Sequence, residues 1–329
     1  MDLFTVLTLA GMLAFIGVTI YVANVEQAQG KPPTLSRILL YIILTMEALL
    51  ALSAYFLATS PDYTGTQAEL WVAIGLVAVG VIISYAVLAS VSFRQMLQRL
   101  ISSFNANSSV HIAAFVFMIA LFLWNTIPFV MQGGIEGFAR SMQDNGVSAG
   151  EPVLNAMLQI TAAFLGIGLY IRRTLPQGLE RLGLRIPTLQ DIGVGAGMGF
   201  VLLLLASSFV AIWQAVAPDT IEQQSSASNQ IAQSFASLPL AFLLATSAAL
   251  GEEIFMRGAL QPVFGLVGSS LFFTSLHTQY LITPGLLMIF IVSLVLGLLR
   301  KHLSTNAAIV AHFVFNFVPL SLLAMGNSS

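Results

Sequence analysis

Six residues in the last third of the chain have types and spacings suited to proton chemistry: Glu252, Glu253, Arg257, His277, His312 and Asn316. They stand in three groups, Gly251-Glu252-Glu253-Ile-Phe-Met-Arg257, Phe273-Thr-Ser-Leu-His277 and His312-Phe-Val-Phe-Asn316, each embedded in apolar sequence. Adjacent carboxylates in an apolar helix are hard to account for as structure. Insertion scales put one acidic side chain at the centre of a membrane helix at roughly +2.5 to +3.5 kcal/mol. Glu253 and Arg257 are i,i+4, the favourable order for an ion pair that lowers the burial penalty of both charges. Glu252 points about 100° away around the helix and is left for other work. His312 and Asn316 share a face by the same i,i+4 spacing. A carboxylate in low-dielectric surroundings can take and return a proton, and donors aimed at a developing oxyanion are usually the largest catalytic contribution. The plainer reading of the same residues is a buried polar network that fastens helices together.

The elements that must position these groups are membrane helices. Only 8% of the 329 residues are charged and 57% are hydrophobic, whereas a soluble domain carries roughly 25% charged residues. Continuous apolar runs recur from end to end, each near the roughly 20 residues a helix needs to cross the hydrocarbon core; a barrel would show short alternating segments. Hydropathy and breakers predict ten helices, at about 3–23, 37–59, 69–90, 109–131, 153–173, 189–217, 239–264, 268–281, 286–300 and 304–323. The class is all-α, a polytopic transmembrane bundle. Lys31, Arg37, Arg94, Arg99, Arg172, Arg173, Arg181, Arg185, Arg257, Arg300 and Lys301 fall in or toward connections on one side, and only Arg140 lies on the other. By the positive-inside rule the first side is cytoplasmic and both termini face outward. The segment 3–22 is apolar with no Lys or Arg before it, so it reads as a spanning helix rather than a cleavable signal.

Depth brings the three groups together. With cytoplasmic turns at 265–268 and 301–305, Glu253, His277, His312 and Asn316 each lie about 9–13 residues from a turn. At 1.5 Å per residue they sit roughly 13–20 Å inside the same face. Two carboxylates, two imidazoles and an amide thus converge on one layer of the membrane.

Other features yield to structural readings. Gly193, Gly195, Gly197 and Gly199 form interleaved small-xxx-small pairs, which suit close helix packing better than a phosphate cradle. Gly146-Val-Ser-Ala-Gly150 matches a nucleophile elbow by chance, since it sits in a polar loop rather than a strand-to-helix turn. Glu47, midway along the second helix, reads as a hydrogen-bonded structural carboxylate, although an intramembrane acid is a functional hypothesis by default. His111 and His302 read as interfacial. Residues 91–108 form an interfacial amphipathic segment, and 218–238 a polar outer connector or lid. No repeat and no separate soluble domain is visible. The absence of cysteine excludes disulfides, a thiolate nucleophile and a cysteine-ligated metal, and a net charge of −2 without basic runs gives no sign of nucleic-acid binding.

Glu252-Glu253-x-x-x-Arg257, Phe273-x-x-x-His277 and His312-x-x-x-Asn316, in that order on successive membrane helices, resemble the CPBP family of CAAX prenyl endopeptidases and bacteriocin-processing or immunity (Abi) proteins. Leu182-Gly183-Leu184 and the Gly-rich sixth helix are similar to how that domain begins. The resemblance covers 182–323, so the chain divides into a five-helix membrane region of unknown role, 1–181, and a CPBP-like domain, 182–329. It implies an intramembrane endopeptidase acting on a membrane-associated peptide or protein, lipidated or not, from a water-containing cavity open to the cytoplasm. Glu252 would be the general base for a water held with His277, His312 and Asn316 would bind the oxyanion, and Glu253 and Arg257 would organise the site. The family is commonly called a metalloprotease. Glu252, His277 and His312 are the candidate ligands for a divalent metal such as zinc, although H-E-x-x-H is absent and a glutamate-activated water needs no ion. A non-catalytic immunity or scaffold protein is the alternative function. A proton-relay transporter is disfavoured by the lack of a matching polar site in the first half. The expected location is an integral membrane, the plasma membrane in a prokaryote.

Overall fold

The structure, a computed structural model, describes residues 3–59, 66–135, 137–138, 140, 148, 150–218, 221, 224–225, 232–235, 237–280 and 283–326. Most of the 218–238 connector and most of the Gly146–Gly150 motif lie outside these. The described chain is all-α. Its helices are α1 (Leu3–Ala28), α2 (Leu35–Ala58), α3 (Gln67–Ala89), α4 (Val91–Leu100), α5 (Ser109–Met131), α6 (Gly150–Gly166), α7 (Leu175–Leu182) and α8 (Leu189–Val216). They continue with α9 (Leu238–Glu253), a π-helical turn (Ile254–Leu260), α10 (Gln261–Ser275), α11 (Gly285–His302) and α12 (Thr305–Gly326).

Local sequence explains the helix starts. Thr66 with Glu69 and Thr188 with Asp191 form capping boxes that open α3 and α8, and the Ser90 and Ser108 hydroxyls cap α4 and α5. Among the described residues, seven helical stretches are long and apolar enough to cross a membrane. The stretch Leu238–Ser275 is folded back on itself. Gly265 has φ +72°, which a side-chain-bearing residue rarely adopts. The Arg257 guanidinium lies 4.8 Å from the Phe273 ring centroid, whereas sixteen residues of unbroken helix would separate them by about 24 Å. The chain therefore reverses at Gly265, within the turn that the sequence predicts at 265–268.

Three predicted elements differ. The helix expected over 153–173 ends at Gly166, and residues 168–173 form a tight loop with Gly168 and Tyr170 at positive φ. There the guanidinium groups of Arg172 and Arg173 cap the Ile167 carbonyl at the helix end. The helix expected over 268–281 ends at Ser275, so His277 stands just beyond it, before a 3₁₀ turn at Thr278–Tyr280. Within the amphipathic segment, Arg94 is 3% exposed rather than solvated. Its guanidinium donates to the carbonyls of Val87, Leu88 and Ala106 and braces the chain on both sides of α4. Burial, and secondarily Arg37, lowers its pKa from the ordinary arginine value.

Helices α1 to α5 and the later ones share one core. Leu40, Val87, Ile112 and Val116 pack in a single cluster with Met256, Leu260, Phe264 and Phe272. Gly195 and Gly199 of α8 lie against α12, where an added Cβ would stand 2.7 Å from the Ala307 carbonyl oxygen or the Val314 Cβ, respectively. Gly193 and Gly197 face open space. Close packing thus accounts for one of the two small-residue pairs. Glu47 is 5% exposed on α2 near Ser84 of α3, but neither of its carboxylate oxygens makes a hydrogen bond among the described residues, unlike the hydrogen-bonded acid expected from the sequence.

Candidate active site

The polar centre is assembled from α9, the π turn, the end of α10, and α12. Glu253 closes α9 and is fully buried, as is Arg257 one turn on. The expected i,i+4 pair forms, with Arg257 Nε 3.1 Å from Glu253 Oε2. The other carboxylate oxygen of Glu253 lies 2.9 Å from His312 Nδ1. Sequence spacing did not anticipate that second bond. It places one carboxylate between two potential cations, and the low dielectric there strengthens both attractions. A carboxylate facing Nδ1 also fixes the imidazole tautomer: Nδ1 carries the proton toward Glu253, and Nε2 is left for another partner.

Phe273 ties the groups together. Arg257 stacks on its face, the His277 ring lies 4.5 Å from it and the His312 ring 6.4 Å, edge on. Cation–π contact supplies the guanidinium with a neighbour that takes no hydrogen bond. Arg257 Nη2 donates to Ser293 Oγ of α11 at 3.3 Å, and Nη1 has no hydrogen-bond partner among the described residues. His277 Nδ1 is 2.9 Å from the Phe273 carbonyl oxygen, which leaves its Nε2 as the exposed nitrogen. Glu252, next to the buried pair, is only half-buried, and its Oε2 makes no hydrogen bond. It lies close enough to act electrostatically on His312. Asn316, one turn beyond His312, is half-buried and forms no hydrogen bond within the described residues.

The segment that presents these groups is irregular for a reason. Residues 254–260 adopt the π form, which widens the helix locally and is frequent at functional sites. Its backbone is held from outside: Arg181 Nη1 donates to the Gly258 carbonyl at 2.9 Å. Gln261 Nε2 reaches the Gly297 carbonyl on α11 at 2.8 Å. On the opposite side, α6 presses on α9 at Gly251, where an added Cβ would stand 2.7 Å from the Ala156 Cα. Any larger residue there would push α6 away from the helix that ends in the two glutamates.

Two further straps set the remaining helices. Asn125 of α5 donates to the Leu276 carbonyl, immediately before His277, at 2.7 Å. At the start of α12, Ser304 Oγ donates to Asp191 at 2.6 Å, Thr305 Oγ1 to the Leu182 carbonyl at 2.5 Å, and Asn306 Nδ2 to the Arg185 carbonyl at 2.6 Å. These bonds fix α12 two turns before His312.

Sequence reasoning pointed to six residues, of which the structure joins Glu253, Arg257, His277 and His312 around Phe273, with Glu252 beside them and Asn316 one turn beyond His312. It missed Ser293, Gln261 and Asn125. Ser293 is the one polar residue of α11 before its basic last turn, which was an available signal; Gln261 shares α10 with four serines and threonines and Asn125 is followed by Thr126, so neither stood out. His111 and His302 stay apart from this centre: His111 Nδ1 accepts from the Asn105 backbone N–H at 2.9 Å, and His302 is exposed at the end of α11. Among the described residues no three His, Asp or Glu side chains are grouped to hold a metal ion. Glu252, His277 and His312 are thus not gathered as a three-residue ligand set among the described residues.

Fold and centre together define a polytopic helical membrane protein with a buried Glu–Arg–His site. Residues 234–318, which span all three motifs, match the family model described as type II CAAX prenyl endopeptidase Rce1-like. That match supports a CPBP family protein, and the matched family is one of proteases. No curated protein and no solved structure shows significant similarity to the chain.

Proposed function

We propose that this protein is an intramembrane endopeptidase in which Glu252 and His277 activate a water. The observation that carries the reading is the contrast between two adjacent carboxylates. Glu253 is ion-paired on both oxygens, to Arg257 and to His312, while Glu252 beside it has no ion pair among the described residues and its Oε2 makes no hydrogen bond. A base must be able to accept a proton, and a carboxylate already held by two cations is poorly suited to do so.

In this scheme Glu252 takes a proton from the water as its oxygen attacks the scissile carbonyl carbon. His277 Nε2 holds the same water. The carbonyl oxygen becomes an oxyanion, met by Asn316 Nδ2 and by the Nε2–H of His312 in its imidazolium form, whose charge Glu253 balances through Nδ1. Glu252 then returns the proton to the leaving amine as the C–N bond breaks. Arg257 keeps the Glu253 carboxylate ionised and in place. The substrate is a membrane-associated peptide or protein.

The test is turnover by the purified, reconstituted full chain against prenylated and unprenylated peptides. Glu252→Ala should abolish cleavage while thermal unfolding stays near wild type. Undiminished cleavage by that variant would overturn the reading. Running the same assay with and without chelator decides whether a divalent ion takes part.

The proposed topology has ten crossings with both ends outside, α2 and α6 joining the long stretches and the Gly265 hairpin counting as two. The chain contains no cysteine, so single cysteines can report sidedness without background. Residue Met325→Cys should react with an impermeant maleimide from outside intact cells, and Lys301→Cys should not.

A further inference from the structure

Four arginines gather where the later helices end on the positively charged side of the molecule. Arg172 and Arg173 sit in the loop after α6, Arg181 on α7, and Arg300 in the last turn of α11; all four are half-buried. None has a carboxylate within ion-pair distance among the described residues, where the ion pairs are Arg185–Asp191, Arg257–Glu253 and His312–Glu253. Their hydrogen bonds go to neutral groups instead. Arg172 Nε donates to the Asn24 side chain, Arg181 to the Gly258 carbonyl and Arg300 Nη2 to the Arg181 carbonyl at 3.5 Å. Arg300 Nε has no partner. Burial, and then the neighbouring arginines, push the Arg172 and Arg181 guanidinium groups down to about 10, so both are still charged at neutral pH.

Like charges held together without a counter-charge need an anion. Between α7 and the end of α11 there is an open pocket of about 420 Å³, lined by Gln177, Glu180, Arg181, Pro262 and Arg300. A second, of about 280 Å³, reaches Arg300 from the other side past Gly183, Arg185 and Ser304. Glu180, the one acidic residue in the lining, is exposed at the rim. Large exposed apolar side chains adjoin these residues in the chain: Ile186 and Leu189, just after Arg185, are each 89% exposed, and Tyr170, in the loop with Arg172 and Arg173, is 78% exposed. Exposed apolar groups beside unpaired cations are the pattern of a surface at the headgroup–acyl boundary.

We propose that the pocket between Arg181 and Arg300 binds the phosphate of an anionic lipid headgroup, with the lipid tails against the flanking apolar residues. Arg181 reaches the pocket and also holds the Gly258 carbonyl of the π turn. A lipid seated there would therefore clamp the segment that carries Arg257.

The experiment uses the full chain, purified and stripped of lipid, with phosphatidylglycerol or phosphatidylcholine added back and retention counted by native mass spectrometry. Wild type should retain phosphatidylglycerol over phosphatidylcholine. At about fivefold per basic side chain near a headgroup layer, Arg181→Gln with Arg300→Gln should weaken that retention about 25-fold. Glu180→Gln, which touches none of the contacts holding the fold, should strengthen it about fivefold, and it decides the matter if the double variant does not fold. Equal retention by all three proteins would overturn the proposal. Displacement of phosphatidylglycerol by an equal concentration of inorganic phosphate would overturn the lipid assignment and leave a free-phosphate site.

Discussion

Glu47 in α2 and Glu253 at the end of α9 are both buried acids in apolar helices, at 5% and 0% exposure, yet their settings have little in common. Glu253 is bracketed by Arg257 and His312, and those partners lead on through Phe273 and Ser293 to α10 and α11. Around Glu47 the polar neighbour is the Ser84 hydroxyl, with no cation within ion-pair distance among the described residues. Burial of an acid is therefore a poor marker of chemistry by itself. Convergence of unlike polar groups from several helices is the better one, because each added group carries its own desolvation penalty and is retained only with partners.

That comparison can be broken at four points. The largest effect belongs to Glu252, the free neighbour of the paired acid. Glu252→Gln should lower turnover of a cleavable peptide by about 10²–10⁴, the range for a lost general base, with the unfolding midpoint unchanged. Glu253→Gln should act on the fold instead. Removing the shared partner of two buried cations is expected to destabilise by about 3–5 kcal/mol, read as a lowered denaturant midpoint. Activity in the second variant with none in the first would separate organiser from base; the reverse pattern would exchange their roles. Phe273→Leu keeps an apolar, somewhat smaller side chain but removes the ring beneath Arg257. A loss of about 1–2 kcal/mol in stability is expected from the same measurement. Smallest of all should be Glu47→Gln, within about 0.5 kcal/mol of wild type and with full turnover. A loss of turnover there comparable to that of Glu252→Gln would show that the first half holds a working acid after all.

Much of the site was legible because its residues are costly. Polar groups in an apolar chain stand out one at a time, and helical rise converts their positions into depth without any knowledge of packing. The turn at Gly265 could be read from a glycine pair between two apolar runs, and the Glu253–Arg257 bond from spacing alone. Partner choice across helices could not. Nothing in the positions of Glu253 and His312, 59 residues apart, says that the imidazole meets Glu253 rather than Glu252, since that depends on how α9 and α12 are rotated against each other. The π turn was equally hidden, because its cause is tertiary. It is held by Arg181 and Gln261 reaching to other elements rather than by any local preference of Ile-Phe-Met-Arg-Gly-Ala-Leu. The burial of Arg94 was hidden for a related reason, since it depends on carbonyls at the end of α3, Val87 and Leu88, and on Ala106 beyond α4.

The π turn also makes chain length a constrained quantity over residues 254–260, separately from residue identity. A π turn takes up about one residue more than an α-helix of the same rotation, so if these seven residues relaxed to α form with none removed, everything after them would advance by about 100° around the axis relative to Glu252. The phase of Gln261 against Gly297, and with it the angle at which the chain enters the Gly265 reversal, would be lost even though every side chain named here remained present. Deletion of one apolar residue in this stretch, which lets it close as an α-helix with the later chain still in phase, should therefore be tolerated more readily than loss of the Arg181 and Gln261 bonds that hold the π form.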